Sequence, residues 1–200
     1  MDPQQPRLRG GQFRHVHRLI RDMRRVPCAS GSRHQAGCEA HRLRECGHAW
    51  RVAYSFLNTL AGPWDFLDQR YPIPQHICEF TYDLIQQGKL RFDKSQNDDM
   101  VLTYHDSCNV SRASRMGDRP GGQFDIPRAI IRATCNNFYD MDEDTIRDRT
   151  FCCGGGGGLL TDDLMEIRVK GAQPRVEALN NVIQEKGVTH MAAICAICKS

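Results

Sequence analysis

The chain has 200 residues, of which 40% are hydrophobic and 26% charged, and it contains ten cysteines. This length allows one ordinary domain or slightly more, and cysteines without a secretory signal favour metal ligation over a disulfide scaffold. No apolar run approaches the ~20 residues of a membrane helix, so we expect none. The net charge of +3 arises from residues 1–44, which hold ten arginines, no lysine and three acidic residues.

Residues 1–44 show no sustained helical or strand period. An Arg-rich segment of this kind is compatible with a nucleic-acid-binding arm, a transit peptide, or an unstructured leader without a function of its own, such as one translated from an out-of-frame start. We favour the leader and therefore predict no nucleic-acid partner. Cys28 and Cys38 have no closely spaced partner, and we assign them no role.

Residues 45–99 contain two predicted helices. The first begins at Cys46, carries an apolar face at three- and four-residue steps, and is broken by Ala61-Gly62-Pro63. The second follows Pro74, and Gly88 is placed to cap its end. Its apolar positions are Ile77, Phe80, Thr81, Leu84 and Ile85. Cys78 lies beside this stripe, and we interpret it as a packed thiol.

Residues 100–200 alternate between predicted strands and helices. The predicted strands are Met100–His105, a strand end at Thr150-Phe151, and an apolar strand over Val188–Ile194 that is covered on both faces. The predicted helices begin near Pro127, span Leu159–Lys170, and run from Pro174 to a stop at Gly187. This alternation predicts an α/β fold with a parallel sheet flanked by helices.

Five cysteines form the most informative pattern in the chain. They follow the spacing C-x43-CC-x41-C-x2-C, and we expect every one of them at the carboxyl end of a predicted strand, where open α/β sheets place their sites. The five are Cys108, Cys152, Cys153, Cys195 and Cys198. A Cys-x-x-Cys turn puts two sulfurs on one metal centre.

The vicinal pair Cys152-Cys153 needs a bent backbone, because neighbouring side chains of an extended chain point to opposite faces. The five glycines that follow, beginning with Gly154 and Gly155, permit such a bend at positive φ and leave N–H groups free to donate to sulfur. We therefore predict one iron–sulfur cluster, with Gly154 and Gly155 as part of its binding loop.

Two other interpretations compete with the cluster. A structural zinc site takes four ligands, usually as two close pairs, and stays open as an alternative. A phosphate-binding loop does not fit the glycine run, because neither a Gly-Lys-Ser/Thr sequence nor the strand-turn-helix context with a ribose-binding acid accompanies it.

The arrangement resembles the cysteine-rich CCG domain of heterodisulfide reductase and its relatives. Three strings look most like the DsrK (HmeD) subunits of the sulfite-reduction-associated transmembrane complex. They are Glu45-Cys46-Gly47-His48-Ala49-Trp50-Arg51, Thr103-Tyr104-His105-Asp106-Ser107-Cys108-Asn109, and Phe151-Cys152-Cys153 with its glycines. The likeness covers about residues 44–200.

The resemblance implies a noncubane [4Fe-4S] cluster held by Cys108, Cys152, Cys153, Cys195 and Cys198. It also implies a heterodisulfide reductase-like oxidoreductase that reduces or forms a disulfide or trisulfide on a small DsrC-like sulfur-carrier protein. The expected partners are a membrane subunit that exchanges electrons with haem and quinone, and other iron–sulfur subunits. The chain would then be cytoplasmic and peripherally associated with the inner membrane. His105, Asp106 and Tyr104 are candidates for proton delivery beside Cys108, although a structural role at the strand end fits them equally.

A half-repeat suggests the domain organisation. Cys46-Gly47-His48-Ala49 occupies the place of Cys195-Ala196-Ile197-Cys198 but lacks the second thiol, so we expect the first unit to hold no cluster of its own. We predict an unstructured leader over 1–44, a remnant of a degenerate unit over 45–99, and a CCG iron–sulfur domain over 100–200 that is truncated at its C-terminus. His48 is a candidate ligand or hydrogen-bond donor, or a capping residue.

Two further functions remain open. Related CCG proteins serve as electron-transfer subunits of glycolate- or lactate-oxidising complexes, although these usually carry two complete units. A zinc-stabilised binding module without redox chemistry is the second alternative.

Overall fold

The computed structural model describes residues 42–43, 46–61, 75–157 and 162–199 of the chain. The predicted α/β fold with parallel strand pairing is confirmed. The strands are β1 (Arg42–Leu43), β2 (Gln75–His76), β3 (Leu102–His105) and β4 (His190–Ala193). The helices are α1 (Gly47–Ala61), α2 (Ile77–Gln86), α3 (Cys108–Ser111), α4 (Gly122–Thr134) and α5 (Met165–Lys186).

The described strands form two parallel pairs. β1 pairs with β2, and β3 pairs with β4 in a register that joins Leu102 to His190 and His105 to Ala193. Because the two strands of a parallel pair end at the same edge, the residues that follow His105 and Ala193 emerge side by side. This edge carries the site described below.

The strand β4 is shorter and more exposed than the sequence predicts. It covers His190–Ala193 instead of residues 188–194, and His190 and Met191 are exposed. Within the described residues β4 pairs with β3, and the polar Thr189 hydroxyl donates to the carbonyl of Val101 outside the ladder. The prediction of a strand covered on both faces was therefore wrong for its first half.

The predicted leader lies largely outside the described residues, but its end does not. Arg42 and Leu43, which belong to the predicted leader, form β1 and pair with Gln75 and His76. The predicted domain boundaries stay predictions.

The first two helices begin where the sequence predicts. The carbonyl of Cys46 accepts the amide of Trp50, which places Cys46 at the start of α1. The side chain of His76 and the Glu79 carboxylate form a capping box at the start of α2, and Gly88, with a φ of 68°, follows its end. Hydrogen-bonded caps of this kind fix the direction in which each helix leaves its strand.

Two proline-based predictions were wrong. Helix α4 begins at Gly122 instead of near Pro127, because Gly121 takes a φ of 90° and its carbonyl accepts the amides of Phe124 and Asp125. Helix α5 continues through Pro174 instead of starting anew there, and it stops at Gly187 as predicted. Tertiary packing of Arg175, Ala178 and Val182 outweighs the hydrogen bond that proline removes.

Thr150 and Phe151 do not form the predicted strand end. They follow a short 3-10 helix over Arg147–Arg149 and lead into the Cys152-Cys153 loop. Part of the predicted helix over 159–170 lies outside the described residues, Asp162–Leu164 form a 3-10 helix, and residues 165–170 belong to α5.

Within the described residues, two hydrophobic clusters hold these elements together. The first joins α1, α2, α3 and α4 through Trp50, Cys78, Val110, Met116 and Ile126, and Trp50 is only 2% exposed. The second fixes α5 against the loop before the vicinal cysteines. Its buried members are Met141, Ile146, Ala178, Val182 and Val188. The first cluster thus fixes the helices that follow Cys46 and Cys108, and the second fixes the segment before Cys152.

Among the helices that the structure describes, none is both long and apolar enough to cross a membrane.

Candidate metal centre

The structure brings the five predicted cysteines to one pocket. Its lining consists of Ser107, Cys108, Asn109, Cys152, Cys153, Gly155, Gly156, Gly157, Cys195, Ile197 and Cys198. The space inside it amounts to about 260 Å³, including the part open to solvent. Thiols that are far apart in sequence therefore converge, as the spacing predicts.

Parallel pairing of β3 and β4 explains the convergence of three of these thiols. Cys108 follows β3 and starts α3, whereas Cys195 follows β4 at the same edge. The amide of Cys198 donates to the carbonyl of Cys195 over 3.0 Å, which closes a turn. This turn carries both sulfurs of the Cys-x-x-Cys motif to the pocket.

The glycine loop brings in the vicinal pair. Gly154 has a φ of 88°, and its amide donates to the sulfur of Cys152 over 3.3 Å. Arg168 of α5 donates to the carbonyl of Gly154 over 2.9 Å and so anchors the loop. A Cβ on Gly155 would overlap the side chain of Ile197 and lie 3.3 Å from the sulfur of Cys153. The glycines therefore allow both the bend and the close approach.

Hydrogen bonds between sulfurs set the charge at the centre. The thiol of Cys198 lies beside Cys153 and Cys195, and its hydrogen bond is the main reason that the pKa of Cys153 falls to about 4. The same contact lowers the pKa of Cys195, while the two sulfurs together raise the pKa of Cys198. Thiols this close together could bind a metal cation as thiolates, since ligation requires their deprotonated form.

His105 is buried against the same sulfurs. It is 1% exposed, and a ring nitrogen and the sulfurs of Cys153 and Cys198 all lie within 4.8 Å of one another. Neither ring nitrogen finds an oxygen or nitrogen partner among the described residues, whereas the ring also helps to lower the pKa of Cys153. A buried imidazole without another partner fits a hydrogen bond to sulfur or a contact with a bound metal.

Asp106, the second predicted proton donor, is part of a buried ion pair. Its two carboxylate oxygens accept from Arg128 over 2.8 and 2.7 Å, and the amide of Arg147 donates to one of them over 2.8 Å. Arg128 also binds Asp140 and lies 5.1 Å from the ring centre of Tyr104. Burial raises the pKa of Tyr104 well above its usual value. These contacts favour a structural role, and catalysis by His105 and Asp106 stays a prediction.

Removing the charge of Asp106 should therefore destabilise the protein. For Asp106→Asn we expect the free energy of unfolding to fall by about 3 kcal/mol, near the lower end for a broken buried pair, because Asp140 still binds Arg128. Asp125→Asn is the matched control, since the Asp125–Arg147 pair is exposed and such pairs contribute about 1 kcal/mol or less. Denaturant unfolding of both variants measures the difference, and equal losses would contradict a structural pair.

The structure adds Cys46 to this centre, which the sequence alone did not suggest. A Cβ on Gly47 would lie 3.5 Å from Cβ and Sγ of Cys195, and a hydrogen bond to Cys195 raises the pKa of the Cys46 thiol. The backbone amide of His48 donates toward the Cys195 sulfur and lowers its pKa. The half-repeat held the signal, because Cys46 and Cys195 occupy equivalent places in it.

Two other cysteines lie away from the pocket. Cys78 is 8% exposed within the first hydrophobic cluster, and burial raises its pKa to about 12. Cys135 is 5% exposed and ends α4. Neither lines the pocket, which agrees with their position outside the spacing frame.

Known proteins with sequences similar to this chain include iron–sulfur subunits. The chain is 38% identical over 182 residues to the Hdr-like menaquinol oxidoreductase iron-sulfur subunit 2 of Archaeoglobus fulgidus, and the match covers 78% of this chain and 32% of that protein. The corresponding iron-sulfur subunit of Archaeoglobus profundus is also 38% identical, over 78% of this chain and 31% of its own length.

A third relative belongs to the dihydromethanophenazine:CoB–CoM heterodisulfide reductase of Methanosarcina mazei. This subunit is 36% identical over 104 residues, or 48% of this chain and 23% of that protein. No family model matches the chain, and no solved structure does. The chain thus spans about a third of the length of the two Archaeoglobus relatives. Over the residues they share, it is a homologue of iron–sulfur subunits of the Hdr type.

Proposed function

We propose that this chain is the cluster-binding part of an iron–sulfur electron-transfer oxidoreductase subunit of the Hdr type. The observation that supports this most directly is the convergence of Cys108, Cys152, Cys153, Cys195 and Cys198 on one pocket. Five thiols exceed the four ligands of a tetrahedral zinc site, and the names of the relatives specify iron–sulfur subunits.

The residues of the pocket fit a noncubane [4Fe-4S] cluster. The five cysteines would hold it, and the amides of Gly154 and His48 would donate to the sulfurs of Cys152 and Cys195. Hydrogen bonds of this kind raise the potential of a cluster, because they stabilise the added negative charge. When bound, the cluster supplies single electrons and an iron site for a substrate sulfur.

The proposed substrate is a disulfide or trisulfide on a small DsrC-like sulfur-carrier protein, as the resemblance to DsrK implies. Reduction of a disulfide breaks one S–S bond, consumes two electrons and two protons, and releases two thiols, and formation is the reverse. His105 would hold one of these protons on the ring nitrogen near Cys153. Asp106 would act indirectly, by fixing the segment between His105 and Cys108.

The proposed partners follow from the same resemblance. Other iron–sulfur subunits and a membrane subunit that reacts with haem or quinone would supply or accept the electrons. The name of the Archaeoglobus fulgidus relative specifies menaquinol, which agrees with a quinone-linked complex. We therefore place the chain in the cytoplasm, at the inner membrane through its partners.

A second candidate is electron transfer without disulfide chemistry, as in glycolate- or lactate-oxidising complexes. Two shorter matches favour it. The EtfAB:quinone oxidoreductase of Syntrophomonas wolfei is 32% identical over 85 residues, and the probable iron-sulfur-binding oxidoreductase FadF of Bacillus subtilis is 31% identical over 86. Both matches cover only 42% of this chain, less than the Archaeoglobus relatives do.

Metal analysis of anaerobically purified protein tests the proposal. We expect about four iron and four acid-labile sulfide per chain, and little zinc, because five thiolates and sulfur-directed amides suit an iron–sulfur cluster. Stoichiometric zinc without iron would instead support a zinc-stabilised binding module. In loaded protein, addition of a DsrC-like disulfide should change the EPR spectrum of the cluster, whereas an unchanged spectrum favours the second candidate.

A further inference from the structure

A second buried arginine, Arg175, lies near the thiol pocket. Carboxylates neutralise the charge of Arg128, whereas none pairs with Arg175 among the described residues. Arg175 of α5 is 3% exposed. Its guanidinium donates to Met141 Sδ over 2.9 Å, to the carbonyl of Thr145, and to Thr150 Oγ1 over 2.9 Å. Within the described parts of the chain, its Nε has no hydrogen-bond partner and no carboxylate forms an ion pair with it.

This arrangement is costly unless an anion lies nearby. A buried, unpaired charge strongly destabilises a protein, and arginine does not escape the cost by losing its proton at physiological pH. Burial lowers the pKa of Arg175, and nearby Asp106, Cys153 and Cys198 act in the opposite direction. Arg128 and the Arg147 amide already bind the carboxylate of Asp106. Among the described residues, the anionic groups that remain near Arg175 are the thiolates of the segment after Phe151 and of Cys198.

The contacts of Arg175 lead directly to the segment that carries the vicinal cysteines. Thr150, which accepts from Arg175, donates to the carbonyl of Asp106 over 2.8 Å. The guanidinium carbon lies 5.9 Å from the ring centre of Phe151, the residue before Cys152. The guanidinium of Arg175 thus lies next to the segment that leads to Cys152 and is linked through Thr150 to the segment that leads to Cys108.

We propose that Arg175 is the buried counter-charge of the thiolate centre and raises the reduction potential of the cluster bound there. This inference rests on the proposed iron–sulfur function. Five thiolates outweigh the positive charge of the iron–sulfide core, so the bound centre is anionic, and each added electron makes it more so. A fixed cation in a site of low polarity stabilises the reduced state more than the oxidised state. Arg175 is a positioning residue in this sense, since it acts through charge and through Thr150.

Three variants of the full chain separate charge from structure. Arg175→Gln removes the charge but keeps hydrogen-bond donors, whereas Arg175→Lys keeps the charge and loses the planar fork. Arg132→Gln is the control, because Arg132 is 59% exposed and contacts Asp140 and Phe138 on the surface of α4. Iron and sulfide are quantified first, and the midpoint potential is then titrated anaerobically at low and high salt.

We expect Arg175→Gln to shift the potential downward in both salts, because a buried charge is hardly screened, and we expect Arg175→Lys and Arg132→Gln to stay close to wild type. If Arg175→Lys binds iron and Arg175→Gln does not, this result would also support the proposal that the charge of Arg175 balances the thiolates. The proposal would be overturned if the midpoint potential shifted equally in Arg175→Lys and Arg175→Gln, or shifted in neither. It would also be overturned if both variants failed to bind iron. Absence of iron from the wild-type protein would instead refute the proposed cluster, and the two failures are thus distinguishable.

Discussion

Replacement of Cys153 or Cys195 by serine should abolish the iron–sulfur absorbance of the protein. Both sulfurs share the Cys198 thiol in the pocket, and each contributes to a different wall of it. Serine is a poor ligand for iron at neutral pH, because its hydroxyl keeps its proton where a thiol gives it up. We expect the iron content of either variant to fall to a small fraction of the wild-type value.

Cys78→Ala and Cys135→Ala are the matched controls. Both cysteines are buried but lie outside the pocket, so their loss should cost some stability and leave the iron content unchanged. Alanine is preferred to serine here because it leaves no unpaired hydroxyl in an apolar core. The ligand assignment fails if Cys153→Ser protein retains the wild-type iron and sulfide.

The sequence predicted the thiol frame because its determinants are local and chemical. The spacing of Cys195 and Cys198 alone predicts that their sulfurs lie close together. The glycines after Cys153 predict a bend at the vicinal pair. The polar residues that end the strand before Cys108 predict that this thiol lies at a sheet edge. The stop at Gly187 and the start of α1 at Cys46 were predicted for the same reason, since caps and breakers act within a few residues.

Features that depend on contacts between distant segments did not follow from the sequence. Pro127 and Pro174 lie inside helices whose limits are set by Gly121 and by the packing of Arg175 and Val182. Cys46 reaches Cys195 only because α1 docks against α3, where Arg51 donates to the side chain of Asn109 over 3.1 Å. The half-repeat suggested equivalence between these two thiols, and only the tertiary structure could place them in contact.

Alanine substitutions in the glycine loop can distinguish the effect of backbone strain from the effect of crowding at the metal centre. Gly154 and Gly157 both have positive φ, of 88° and 68°, so alanine strains the backbone at either position. The surroundings differ. A Cβ at Gly157 would meet nothing within 4 Å, whereas one at Gly154 would lie 3.0 Å from the carbonyl of Arg168 and 3.1 Å from Ala172 Cβ. Gly158, the last of the five glycines, lies outside the described residues, so Gly157 is the control.

We expect Gly157→Ala to cost about 1 kcal/mol of stability and to bind iron as the wild type does. Gly154→Ala should lose much of the iron, because the new methyl group would press against α5. The loop would then shift, and the Gly154 amide could no longer donate to the sulfur of Cys152. Gly155→Ala should be at least as damaging, because the new methyl group would displace Ile197, in the turn that carries Cys198. Such overpacking costs about 1–3 kcal/mol, and here it falls on the ligand loops.

Iron and sulfide content of the three variants, purified anaerobically beside the wild type, measures the effect, and thermal unfolding of each gives the cost in stability. Comparable iron in Gly154→Ala, Gly155→Ala and Gly157→Ala would mean that the loop is a linker. Loss of iron in Gly154→Ala and Gly157→Ala with retention in Gly155→Ala, where φ is not positive, would mean that backbone strain alone decides. Loss of iron in Gly154→Ala and Gly155→Ala with retention of iron in Gly157→Ala would support our prediction. It would mean that the two glycines next to the vicinal cysteines are needed because the backbone approaches the sulfurs closely there.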